Sequence, residues 1–141
     1  MSQITLEQAT QIIAGAFAKG QEAGFKALSV AVVDAGGHLI AFQRQDGASF
    51  ARAQIATGKA AGALALGVSS RKVGAMAEER PWFIGAFASS APHQVIPAAG
   101  GVIVVGEGGF LGAVGVTGET SDNDEIAALA GIAAAGLTAQ G

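Results

Sequence analysis

The sequence predicts a single α+β domain, an antiparallel sheet covered by helices. Three observations carry this. Two stretches read as β-hairpins, "SVAVVDAGGHLIAFQR" and "GVIVVGEGGFLGAVGVTG". Segments of helical periodicity precede, separate and follow them, in the order α-β-β-α-α-loop-β-β-α. The length of 141 residues suits one domain (1–141) able to bury a real core.

The first helix is expected at about residues 6–23. Thr5-Leu-Glu-Gln8 is a capping-box pattern, Leu6, Ala9, Ile13, Ala16 and Phe17 recur at helical spacing, and Gly20 and Gly24 mark the end. Ser29–Asp34 is β-branched and apolar, Gly36-Gly37 supplies a tight turn, and His38–Arg44 returns. On that return strand His38, Ile40, Phe42 and Arg44 share one face. "SFARAQIATGKAAGALALG" predicts a helix over 49–66 whose small residues admit a close backbone, with Arg52 and Lys59 on one face. Ser69 or Ser70 caps a helix over 70–79. The stretch through Pro81, Pro92 and Pro97 is expected to be irregular, with a short turn at 82–87. Strands follow at 101–105 and 110–118, with glycine at every third position from Gly106 to Gly118, a pattern that marks bulges or close backbone approach. The last helix is expected at about 121–138.

Composition excludes several functions. Half of the residues are hydrophobic and 13% are charged, with a net charge of −3. That surplus of Ala/Gly surface needs an interface, so a homo-oligomer is expected. The acidic balance without Lys/Arg clusters argues against nucleic acid. No apolar run approaches the roughly 18 residues of a membrane span, and "MSQITLEQ" lacks a secretory pattern, so no membrane and a cytoplasmic location are expected. With no cysteine and two histidines, a thiolate nucleophile and a Cys-based zinc site are excluded, and no metal site is assigned.

Four acids, Glu119, Asp122, Asp124 and Glu125, crowd ahead of "IAALAGIAAAG". Ser121-Asp-Asn-Asp124 fits a capping box, and three of the acids then sit in a first helical turn, where the helix dipole favours anions. An EF-hand is excluded by the missing sixth-position glycine and twelfth-position glutamate. "GEGGFLG" is no phosphate loop, since it lacks Lys-Ser/Thr and leads into a strand. Glu119 is left over on the loop, as an acid/base candidate. His93, in a proline-flanked loop, is the second such candidate. Arg44, Arg52 and Lys59 are ligand-binding candidates, a cationic lining for a carboxylate-bearing ligand. Lys59, among small residues, is expected to be partly buried and paired with Asp34, Asp46 or a helix-end acid. His38 at the hairpin turn, and Trp82 and Phe83 as a cap over an apolar pocket, complete the ligand-binding candidates.

Read together, "SVAVVDAGGHLIAFQRQDGAS", "ARAQIATGKAAGALALG", "IPAAGGVIVV" and "GFLGAVGVTGETSDNDEIAALAG" resemble the GlcG/HbpS family, from about Leu6 to Gly136. The matching positions are Asp34, Gly37, Arg44, Asp46, Gly47, Lys59, Gly100, Gly101, Gly115, Gly118 and Asp124. The resemblance implies a profilin-like fold of about five strands with helices on its faces, and an oligomer. It also implies haem or another tetrapyrrole as ligand, and kinship with the C-terminal domain of PduO-type proteins. Haem-binding members are described as using a histidine near the first helix; this chain has none there, so haem would need His38 or His93. Two functions are carried forward. One is a small-molecule-binding protein for haem or a related ligand. The other is a cofactor-independent isomerase, hydratase or hydrolase on a small organic acid or aromatic catabolite.

Overall fold

The computed structural model describes residues 3–141. Met1 and Ser2, which head the segment read for a secretory pattern, lie outside the described residues. The elements are α1 (Leu6–Ala23), β1 (Ser29–Asp34), β2 (Leu39–Arg44), α2 (Arg52–Leu66), α3 (Ser70–Glu79), α4 (Pro81–Ser90), β3 (Gly101–Gly106), β4 (Gly109–Thr117), α5 (Ser121–Ala134) and β5 (Thr138–Ala139). The five strands form one antiparallel sheet in the order β2-β1-β4-β3-β5.

The sheet separates two layers. On one face Val30, Val32, Val102, Val104, Val114 and Val116 meet Ile12, Ile13 and Ala16 of α1 and Ala127, Ala128 and Ile132 of α5. On the other, Val33, Ile103 and Ala113 meet Ala60 and Ala63 of α2. The alternation within β1 is why the strand is buried on both sides. The small residues of α2 have a second use as well. The segment after α4 runs over the helix, with Ile96 packed at Gly58 and Val95 at Gly62. Helix α2 is thereby held between sheet and strap.

Four expectations are corrected. The stretch at 82–87 is part of a ten-residue helix, α4, because Pro81 occupies the first helical position, where a proline lacks nothing the helix needs. Helix α2 begins at Arg52, not residue 49. The last helix stops at Ala134, not 138; Gly136 then adopts a left-handed φ of 72°, and Thr138–Ala139 pairs with Val104 and Val105 as a short fifth strand. The cap of α5 is Thr120 instead of Ser121, its hydroxyl accepting from Asn123 N. The capping box at Thr5 and Gln8 is present as read.

Candidate functional site

Strand β1 divides the candidate residues between two ends of the sheet. Ser29 pairs with Arg44 and Thr117, while Asp34 pairs with Gly112. Five residue steps of about 3.3 Å put these ends about 17 Å apart. Arg44, Arg52, Lys59 and Glu119 gather at the first end, and His38 and His93 at the second.

At the first end, α2 brings its cations to the end of β4. Arg52 Nη1 donates to Thr117 Oγ1 at 2.9 Å. Lys59, 3% exposed, donates to Asp124 Oδ2 at 2.9 Å and to the Val116 carbonyl at 3.0 Å. The partner of Lys59 is thus the helix-end acid. Asp124 Oδ1 accepts from Glu119 N at 2.9 Å. Burial pushes the Asp124 carboxyl up more strongly than the Lys59 ammonium pulls it down.

Glu119 ties this loop to the segment before β1. Its Oε2 accepts from Lys26 N at 2.8 Å, and its Oε1 accepts from Thr120 N and Asn123 Nδ2, each at 3.2 Å. The hydrogen bond from Lys26 N is the largest cause holding its carboxyl below the ordinary 4.5. A shallow cleft of about 210 Å³ opens here, lined by Lys26, Ala27, Gly47, Ser49, Arg52 and Gly118. Across Ala27 lies a wider one of about 560 Å³, lined by Phe25, Arg44, Gln45 and Asp46.

The Glu119 contacts give a signed pH expectation. Its contribution to stability is present above its unfolded pKa and is lost as pH falls through the lowered folded value. Asp34, also lowered, acts in the same direction. Asp124, raised, acts in the opposite direction: its contribution is present at low pH and is lost as pH rises through its folded value. In Glu119→Gln the urea midpoint should therefore fall less than in wild type between about pH 6 and pH 3. An unchanged acid limb would show that the Lys26 contact is energetically idle.

The second end is built on the β1–β2 turn. Asp34 Oδ1 accepts from Gly36 N at 2.9 Å and His38 N at 3.0 Å. Gly37 takes a φ of +85°, which suits glycine, and a Cβ there would come within 3.0 Å of the His93 ring. The strap that crosses α2 delivers His93 to this turn, with Nε2 3.1 Å from the Gly36 carbonyl. A carbonyl only accepts, so Nε2 carries the proton and Nδ1 the lone pair. His38 Nδ1 lies 3.4 Å from Asp34 Oδ1, and its side chain is 73% exposed. The two imidazoles stand edge to face with centroids 5.7 Å apart. Beside them is an apolar cleft of about 210 Å³, lined by Ala35, Gly36, Ala61, Leu64, Pro92 and His93.

Trp82 and Phe83 sit on α4. Trp82 is 70% exposed, Phe83 is half-buried, and Arg80 lies over the Phe83 ring at 4.8 Å. Sequence reasoning missed Arg71, which bridges α3 to Asp122 and Glu125 of α5 and is held firmly protonated by them. No spacing pattern signals a pair so far apart in the chain. Among the described residues, no three His, Asp or Glu side chains form a ready metal cluster, and no helix is long and apolar enough to cross a membrane.

The family model described as haem degrading protein HbpS-like matches residues 4–133. Among solved structures, the chain is similar to HbpS, with 29% identity over 94% of this chain and 90% of that one, at a TM-score of 0.81. It is similar to Klebsiella pneumoniae protein ORFY, with 27% identity over 96% and 92% of the two chains, at a TM-score of 0.86. PduOC, solved as a haem complex, shares the fold at a TM-score of 0.86, with 21% identity over 99% of both chains. No curated protein matches the chain by sequence. With a match that runs from before α1 into α5, the chain belongs to the HbpS-like family.

Proposed function

We propose that this protein binds haem or a related tetrapyrrole at the turn end of the sheet, where His38 would ligate the iron. One observation carries the reading. His38 turns Nδ1 toward the Asp34 carboxylate and leaves its ring otherwise exposed beside an apolar cleft. A ligating histidine is commonly braced in this way, with its other nitrogen on a carboxylate that fixes the tautomer and raises basicity. Membership of the HbpS-like family supports the ligand class.

The residues fit the group in part within one subunit. Nε2 of His38 would be the ligating atom, and Ala61, Leu64 and Pro92 offer apolar contact. At about 210 Å³ the cleft falls short of the roughly 300–1,000 Å³ of a ligand pocket. The reading therefore includes a homo-oligomer in which a second copy covers the ring. Leu39 and Trp82, 55% and 70% exposed, leave apolar surface for such a contact. When bound, haem would supply a Lewis-acidic, redox-active iron. The chain's part would be to ligate it, to exclude water from one ring edge, and to brace His38 against the Asp34 carboxylate.

Absorbance titration with haemin tests this, with a saturable Soret shift at one equivalent per subunit as the expected result. Its absence would move the assignment to the second reading, turnover of a small organic acid at the opposite end. That reading rests on the half-buried Arg52 guanidinium, which faces a cleft and forms no ion pair among the described residues. Arg52 would hold the carboxylate there. Glu119, held ionised by three N–H donors, is a weak base, and His93 lies at the far end. Proton transfer would need a group brought by the substrate or by a partner subunit.

A further inference from the structure

Two histidines from opposite halves of the chain meet at the Gly36-Gly37 turn, and each has one nitrogen turned to a protein acceptor. His38 presents Nδ1 to the Asp34 carboxylate, and His93 donates from Nε2 to the Gly36 carbonyl. That leaves His38 Nε2 and His93 Nδ1 with no hydrogen-bond partner among the described residues. Metal-ligating imidazoles have this arrangement: the far N–H is fixed on a carboxylate or a backbone carbonyl while the near nitrogen offers its lone pair.

We infer that His38 and His93 together form a binding site for a borderline divalent cation such as Zn²⁺, Ni²⁺ or Cu²⁺, with water completing the coordination. The spacing supports it. Two imidazoles sharing one tetrahedral ion at about 2.0–2.1 Å per nitrogen have centroids about 5–6 Å apart, and this pair stands at 5.7 Å. Asp34 adds a negative charge behind His38. Imidazole selects borderline ions over the hard, oxygen-seeking Mg²⁺ and Ca²⁺, so the site should pass over those two.

This inference does not rest on the haem reading. Haem needs His38 alone, whereas the cation needs both rings, so the two can fail separately. The experiment is calorimetric titration of the haem-free protein with Zn²⁺, Ni²⁺ and Mg²⁺, on wild type, His38→Gln and His93→Gln. Circular dichroism establishes that both variants are folded, as expected for residues on a turn and a strap. Wild type should bind one Zn²⁺ per subunit, each single variant should bind at least about tenfold more weakly, and Mg²⁺ should give no heat. Equal Zn²⁺ affinity in wild type and either variant would overturn the shared site. So would Mg²⁺ binding as tight as Zn²⁺.

Discussion

Gly115→Val should lower the melting temperature by about 10 °C or more, as measured by calorimetry. Gly115 faces α2 from the middle of β4, and a Cβ there would lie 1.9 Å from the Ala56 carbonyl oxygen. Overpacking commonly costs about 1–3 kcal/mol when side chains can yield. Here the new Cβ meets the backbone of α2, which cannot yield as a side chain can, and α2 is pinned from behind by the strap at Gly58 and Gly62. The cost should therefore reach at least the top of that range. Gly85→Ala is the control: nothing lies within 4 Å of a Cβ at this exposed position of α4. An alanine there should be neutral or stabilising, by up to about 1 kcal/mol. A Gly115→Val protein that melts with wild type would contradict the packing of α2 on the sheet.

Lys59→Met should destabilise the fold by about 3–5 kcal/mol, because it strands the Asp124 carboxylate at 1% exposure without its cation. Asp124→Asn should cost less, since an amide oxygen can still accept from Glu119 N, though the Lys59 ammonium then lacks its counter-charge. Combining the two changes should cost less than the sum of the single costs, because no unpaired buried charge remains. Urea midpoints for the four proteins measure this coupling. Strict additivity would mean that the 2.9 Å contact between Nζ and Oδ2 contributes nothing.

These two sites show what the sequence made legible. The valine-rich strands, the capping box at Thr5 and the glycine turn at 36–37 are local signals, and each stands where its pattern puts it. The small residues of α2 could be read as a close-approach surface, yet what approaches could not, because Gly115, Ile96 and Val95 come from distant stretches. Helix α4 was hidden by Pro81: a proline that breaks a helix interior is equally suited to opening one. The fifth strand is two residues long and has no periodicity to detect.

The candidate site was legible residue by residue, but its grouping was not. His38 and His93 meet because the strap crosses α2, and Arg52 and Glu119 share the other end because β4 returns beside β1. Only the pairing register separates these groups, and register is a long-range property of the sheet. Lys59 among alanines and glycines did foretell a buried, paired cation. The acids of the 119–125 segment divide three ways in the structure. Asp124 goes inward to Lys59, Asp122 and Glu125 go across to Arg71, and Glu119 goes back to Lys26. A helix-start pattern contains none of that division.

The central claim is that His38 ligates haem at the turn, and the most direct measurement is a haemin absorbance titration of wild type, His38→Ala and His93→Ala. Wild type and His93→Ala should give a saturable Soret shift at one haem per subunit, and His38→Ala should lose it. A shift that survives in His38→Ala, or no saturable shift in wild type, would contradict the account.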